Sequence, residues 1–362
     1  MMKKGWKIAA LVILVLLLLV GTVVGIRFKK QEHLRFVERL GSGYNLGNAL
    51  DSTNLWDTTP GAPELAYETY WGNPSIDATQ LLAIRDAGFS SVRIPVTWED
   101  HLDEDGMISF LWMERVNEVV DMALGADLYV IIDTHHEDWL DLDLEREEEI
   151  CERYKVVWAQ IAERFADYDE HLLFEGMNEP RLRGSAHEWD AGTPEMRAMV
   201  NRLNTAFVET VRGTGGKNAK RYLLVSGYAT NTEPDTLADL EVPDGNIIVA
   251  VHMYFPYSFC QDESGATKWD TGNEYNMKTL EETFAELHTR FIDRGIPVVM
   301  TEFGCIYKGN DEERAAWVSS YREHAKDIPC FWWDNGNEFQ IMDRRSGQWV
   351  HTEILDALLQ EY

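Results

Sequence analysis

Cysteine is scarce in this chain. The four present, Cys151, Cys260, Cys305 and Cys330, show no CxxC spacing, so neither a thiolate zinc site nor a disulfide-dense scaffold is available. Free buried thiols are the expectation, and a single disulfide stays open for an oxidising compartment. Positive charge is short too: 33 Lys and Arg stand against 62 Asp and Glu, a formal net charge of −29. Nucleic-acid binding depends on cations that neutralise phosphates, so that partner is excluded, as is an acidic polysaccharide. A neutral substrate fits. No glycine-rich phosphate loop occurs either, since Gly41, Gly43 and Gly47 do not make GxGxxG. Pro/Ser linkers and low-complexity tracts are also missing, so residues 31–362 read as one domain without an appended binding module.

Only one long apolar run is present. It extends from Ile8 to Ile26, preceded by Lys3, Lys4 and Lys7 and followed by Arg27, Lys29 and Lys30. Its length approaches the ~20 residues that span a bilayer, and no convincing small-x-small cleavage site ends it. Residues 1–30 are therefore expected to be an uncleaved signal anchor, with a cleaved signal peptide as the alternative. Either places the domain outside the cytoplasm, at the cell surface or secreted. Membrane contact is expected through this segment only.

Short apolar runs then alternate with longer helical patterns. Candidate strands are Gly43 to Leu46, Ser91 to Val96, Leu128 to Asp133, His171 to Glu175, Tyr222 to Ser226, Ile247 to His252, Pro297 to Thr301 and Pro329 to Trp333. Between them Trp112, Val116, Val119, Val120 and Ala123 share a helical face, as do Tyr154, Trp158, Ile161 and Phe165. Alternation of this kind implies parallel strands, and eight units imply a closed (β/α)8 barrel, an α/β fold.

In such a barrel the chemistry collects at the C-terminal ends of the strands. Those ends supply Arg93, then His135 and His136, then Asn178 and Glu179, then His252 and Tyr254, then Glu302, and finally Trp332 and Trp333. His135 and His136 read as a core and a surface histidine, as metal ligands or as cleft residues; no metal or cofactor is expected. Glu179 and Glu302 matter most, because each follows an apolar strand, where a solvated carboxylate is not the default. Two facing carboxyls in different protonation states are what glycosidic cleavage needs. Arg93 and the Tyr254 hydroxyl would keep Glu302 ionised, His252 would adjust Glu179, and Asn178 would offer its amide to a sugar hydroxyl. Of adjacent Trp332 and Trp333, one would face the cleft and the other pack outward. Trp56, Trp71, Trp98, Trp139, Trp189 and Trp269 lie in expected loops and are candidates for sugar contact. Glu175, deeper on its strand, reads as structural.

The ordered set Gly43-Tyr-Asn-Leu-Gly-Asn48, Val92-Arg-Ile-Pro95, Asp133-Thr-His-His136, Phe174-Glu-Gly-Met-Asn-Glu-Pro180, His252-Met-Tyr254, Thr301-Glu-Phe-Gly304 and Phe331-Trp-Trp-Asp-Asn-Gly336 resembles glycoside hydrolase family 5, the cellulase family of clan A. It covers the chain from about Arg35 to its end. The resemblance implies Glu179 as acid/base and Glu302 as nucleophile of a retaining mechanism. Arg93, His135, His136, Asn178, His252, Tyr254 and Asn45 would be binding or supporting residues, and Trp333 the sugar-stacking tryptophan. It implies a monomeric endo-β-1,4-glucanase acting on β-glucan polysaccharides or oligosaccharides. A β-mannanase of the same fold is the first alternative, and a non-catalytic surface glycan-binding protein the second.

Overall fold

The computed structural model describes residues 30–360. Eight parallel strands close into a barrel in sequence order: β1 (Gly43–Leu46), β2 (Ser91–Ile94), β3 (Tyr129–Asp133), β4 (Leu172–Glu175), β5 (Leu223–Ser226), β6 (Ile247–Met253), β7 (Val298–Phe303) and β8 (Cys330–Asp334), with β8 pairing back onto β1. A helix follows each strand, the longest being Phe110–Gly125, Glu147–Arg164, Pro194–Gly213, Glu274–Arg290 and Asp311–Ala325. The expected (β/α)8 architecture is what the chain adopts. The expected anchor lies outside the described residues except for Lys30. Among the described residues no helix is long and apolar enough to cross a membrane. All four cysteines are free thiols.

Strand side chains alternate between two apolar environments, as the pleat requires. Val92, Ile94, Val130, Ile132, Leu172, Phe174, Leu223, Val225, Val249 and Val298 point outward into the large core shared with the helices. Their neighbours Ile131, Leu173, Leu224, Ile248, Ala250, Val299 and Phe331 point inward and fill the barrel floor. A helix over residues 30–38 closes that floor with Phe36 and Val37, and Phe36 stacks on Tyr222 at 3.7 Å between ring centres. Phe331 fits because the opposing strand carries Gly43, where a Cβ would stand 2.3 Å from the ring.

Most strand ends fall within one residue of expectation; two C-terminal ends differ by two residues. β2 stops at Ile94 because Pro95 has no N–H to continue the ladder. β7 runs on to Phe303, so Glu302 sits on the strand itself. There the pairing with β6 slips between Val251 and His252, setting His252 opposite Glu302. Irregularities of this kind re-aim side chains, and this one turns His252 and Glu302 towards the same space.

Candidate active site

The site is built upward from Arg93. Buried without solvent access, its guanidinium makes five hydrogen bonds: Nε to Glu175 at 2.5 Å, Nη1 to Asn45 Oδ1 at 3.1 Å and to Glu302 Oε1 at 2.7 Å, and Nη2 to Asp133 at 2.7 Å and to Asn178 Oδ1 at 3.0 Å. Burial opposes this charge, but Glu175, Asp133 and Glu302 overcome it and keep the group protonated. Glu175 is structural, as its depth implied: Thr301 donates to its second oxygen at 3.2 Å. Asn45 is fully buried and reaches no cleft. Its amide donates to the carbonyls of Thr301, Phe331 and Trp332, so it braces Arg93 from below and supports without binding.

Above Arg93 each neighbour is left with one face for a ligand. The Asn178 carbonyl is committed to Arg93, which leaves its NH2 free to donate. Asp133 accepts from His135 Nδ1 at 2.7 Å and from the Val96 amide at 2.9 Å, so it fixes the His135 tautomer and frees Nε2. Burial, reinforced by Arg93, holds His135 neutral, and burial with His135 does the same for His136. The β4 chain leaves the strand at Gly176, whose carbonyl accepts from Thr134 Oγ1, Tyr154 Oη and Trp158 Nε1. Three residues later Glu179 adopts φ 44, a left-handed conformation uncommon for a carboxylate residue. Its amide is caught by Thr230 Oγ1 at 3.1 Å.

The two carboxyls face each other. One oxygen of Glu179, one of Glu302 and one nitrogen of His252 all lie within 4.8 Å of one another. Glu302 takes Arg93 on one oxygen and the Tyr254 hydroxyl on the other at 2.8 Å. Glu179 takes His252 Nδ1 at 3.1 Å and has Arg181 at 3.5 Å. Burial raises the pKa of both carboxyls, and Glu179 raises that of Glu302 further. Burial, then the charge of Glu302, pushes the Tyr254 hydroxyl well up, so it remains a donor. Burial likewise lowers His252. A pair this close can protonate a leaving oxygen with one member and meet an electron-poor carbon with the other.

These residues open into a cleft of about 770 Å³ that is also lined by His136, Trp189, Asn231, Trp333 and Phe339. Trp333 faces it, its ring parallel to that of His135 at 5.8 Å and 4°. Gly47 permits this, because a Cβ there would stand 2.6 Å from the indole. Trp332 is fully buried and donates its indole N–H to the Phe339 carbonyl. Of the loop tryptophans, Trp98, Trp139 and Trp269 are buried packing residues rather than sugar contacts, while Trp56 and Trp189 are exposed. Among the described residues a second set, Asp51 with His135 and His136, also brings ligand-type atoms within 4.8 Å. There Asp51 is already held by the Asn48 and Ala49 amides and His135 by Asp133. Sequence reading gave no role to Asp133, Thr230, Arg181 or Phe339. Asp133, which opens Asp133-Thr-His-His136, and Arg181, directly after Asn178-Glu179-Pro180, carried a usable signal.

A family model for cellulase, glycosyl hydrolase family 5, matches residues 57–339. The chain belongs to glycosyl hydrolase family 5. Endoglucanase A of Ruminococcus albus is 41% identical over 344 residues, which cover 90% of this chain and 92% of that protein. Endoglucanase A of Clostridium longisporum is 40% identical over 340 residues, but there the chain spans only 65% of the relative's length. Among solved structures, a xyloglucan-specific family 5 endo-β-1,4-glucanase from a metagenomic library, in complex with cellotriose, superposes with a TM-score of 0.85 at 39% identity, covering 91% of this chain and 99% of that one. Within this family-5 barrel the paired carboxyls and Trp333 line a single cleft, with Arg93 buried beneath it.

Proposed function

We infer that this chain is a retaining endo-β-1,4-glucanase with Glu302 as nucleophile and Glu179 as acid/base. The observation that carries this is the unequal setting of two close carboxyls. Arg93 and Tyr254 both favour the ionised form of Glu302. Glu179 has one imidazole at 3.1 Å and only the longer ion pair to Arg181 at 3.5 Å. When the pair holds a single proton, it therefore resides on Glu179. Oxygens within 4.8 Å suit direct attack by a carboxylate, whereas inversion leaves roughly 6.5–9.5 Å between the groups for a water.

In the first step a Glu302 oxygen bonds to the anomeric carbon while the glycosidic C–O bond breaks, and the departing oxygen takes the Glu179 proton. In the second, a water oxygen bonds to that carbon, its proton passes to Glu179, and the bond to Glu302 breaks. Asn178 donates its free NH2 to the neighbouring sugar hydroxyl, and Trp333 offers its ring to the sugar face. The long open cleft, the charge of −29 and the endoglucanase relatives support a neutral β-1,4-glucan as substrate. An extracellular setting, through an anchor or a cleaved signal, completes the reading.

Proton NMR of the first products from soluble β-glucan tests it. The β-anomer should appear first; an initial α-anomer would overturn retention. Parallel rates on barley glucan, xyloglucan, glucomannan and mannan identify the backbone, with mannan expected to be poorest.

A further inference from the structure

The loop after β4 carries a cation that the two-step reaction leaves unused. The Arg181 side chain is only 16% exposed. Its Nη1 lies 3.5 Å from Glu179 Oε2 and donates to the Glu179 carbonyl at 2.9 Å. Its Nε donates to Glu188 at 3.3 Å, and its flat face lies 4.1 Å from the ring centre of Trp189. Trp189 is 61% exposed and lines the cleft. With a guanidinium on one face, its other face is open to a ligand, and a pyranose offers a matching apolar surface.

The groups facing Glu179 are Glu302 on β7, His252 and Tyr254 at the end of β6, Arg93 on β2 and His135 beyond β3. The two histidines are held neutral by burial. Arg93 is already bonded to Glu175, Asp133 and Glu302. Arg181, which Glu179 shares with Glu188, is thus the one cation ion-paired directly with Glu179 among the described residues, and it is the foremost influence drawing the Glu179 pKa down against burial.

We propose that Arg181 is a positioning residue that links the two halves of leaving-group chemistry: it braces Trp189 as the platform for the departing sugar and holds the Glu179 carboxylate that appears once that sugar has taken its proton. The proposal rests on Glu179 being the acid/base. It places the leaving group over the β4 loop.

The test compares kcat/KM against pH for Arg181→Gln, Arg181→Lys and Trp189→Ala on cello-oligosaccharides. Arg181→Gln should move the basic limb upward by about one pH unit, since loss of a nearby cation raises a carboxyl pKa. It should also raise KM several-fold. Arg181→Lys should restore the limb but not KM, because an ammonium keeps the charge and loses the flat stack. Trp189→Ala should raise KM and leave the limb in place. A wild-type limb in Arg181→Gln, or wild-type KM in both Arg181→Lys and Trp189→Ala, overturns the proposal. If Arg181→Gln does not fold, the other two variants still decide the platform role, and a limb that shifts in Arg181→Lys overturns the charge role. Glu179→Ala serves as the separate control. Retention of full activity on substrates with poor leaving groups, without rescue by azide, would instead remove the acid/base assignment whatever Arg181 does.

Discussion

The barrel has a cavity at each end, about 770 Å³ at the mouth and about 760 Å³ at the floor, so volume does not say which end works. Their linings do. At the floor Arg35, Arg39, Lys217 and Lys220 stand among Glu32, Asp169 and Glu170, and the Arg221 guanidinium donates to the carbonyls of Phe165, Tyr168, Asp169 and Leu172. Among the described residues no three His, Cys, Asp or Glu side chains gather there. At the mouth Glu302, Glu179, Asn178 and Tyr254 converge on one point. Along a strand the change takes two residues: Ile131 gives way to Asp133, Leu173 to Glu175, Val299 to Thr301 and Phe331 to Trp333, all inward on the same face. The apolar layer offers binding-neutral stability, and the polar layer above it is rigid because it stands on that packing.

The sharpest way to break this contrast is one substitution at each end. Glu302→Gln should lower kcat by about 10³-fold or more while the thermal midpoint holds or rises, because a buried charge is removed. Phe331→Ala should do the reverse, costing about 3–5 kcal/mol of stability in denaturant titration with kcat nearly intact. Loss of activity and stability together in either variant would show that the layers are not separable.

Arg93 is where they meet. Arg93→Met leaves Glu175, Asp133 and Glu302 without their cation, and should cost about 3–5 kcal/mol together with turnover. A well-folded, active Arg93→Met enzyme would refute the central role given to it. A smaller effect follows from pH. Burial pushes Glu137 up to about 8 and Asp133 and Asp51 up to about 6. Groups with raised folded pKa bind protons better in the native state, so their contribution is full below the unfolded value and is lost as pH rises through the folded one. Above about pH 6.5, where the lowered histidines no longer oppose it, stability should therefore fall towards pH 8 by on the order of 1 kcal/mol per unit. Equal thermal midpoints at both pH values would contradict it, and Glu137→Gln should flatten the upper part of the slope.

The sequence disclosed the mouth better than its supports. Period-2 and period-3.6 patterns gave eight strands and their helices, and polar groups after apolar runs gave both glutamates and the partners of Glu302. Asn45 reads from sequence as either binding or supporting, because its motif says which strand it ends and not which layer it occupies. The Glu179 backbone at φ 44, its tether to Thr230 and the slip at His252 depend on contacts between distant segments. No local pattern reports them. Trp98, Trp139 and Trp269 looked like loop aromatics but are buried, since their loops fold back and place these rings in the large core shared with the helices.

The mildest prediction separates the two carboxyls without touching either. Tyr254 donates to Glu302 at 2.8 Å, and its hydroxyl stays protonated. Its O–H favours the ionised Glu302, so Tyr254→Phe should raise the Glu302 pKa and move the acid limb of kcat/KM upward, by less than about one unit because Arg93 still binds the other oxygen. The basic limb belongs to Glu179 and should stay put, with stability little changed. A shift of the basic limb alone would exchange the roles of Glu179 and Glu302. Movement of both together would mean that the pair titrates as one unit, with the unequal settings at the mouth too weak to assign its proton.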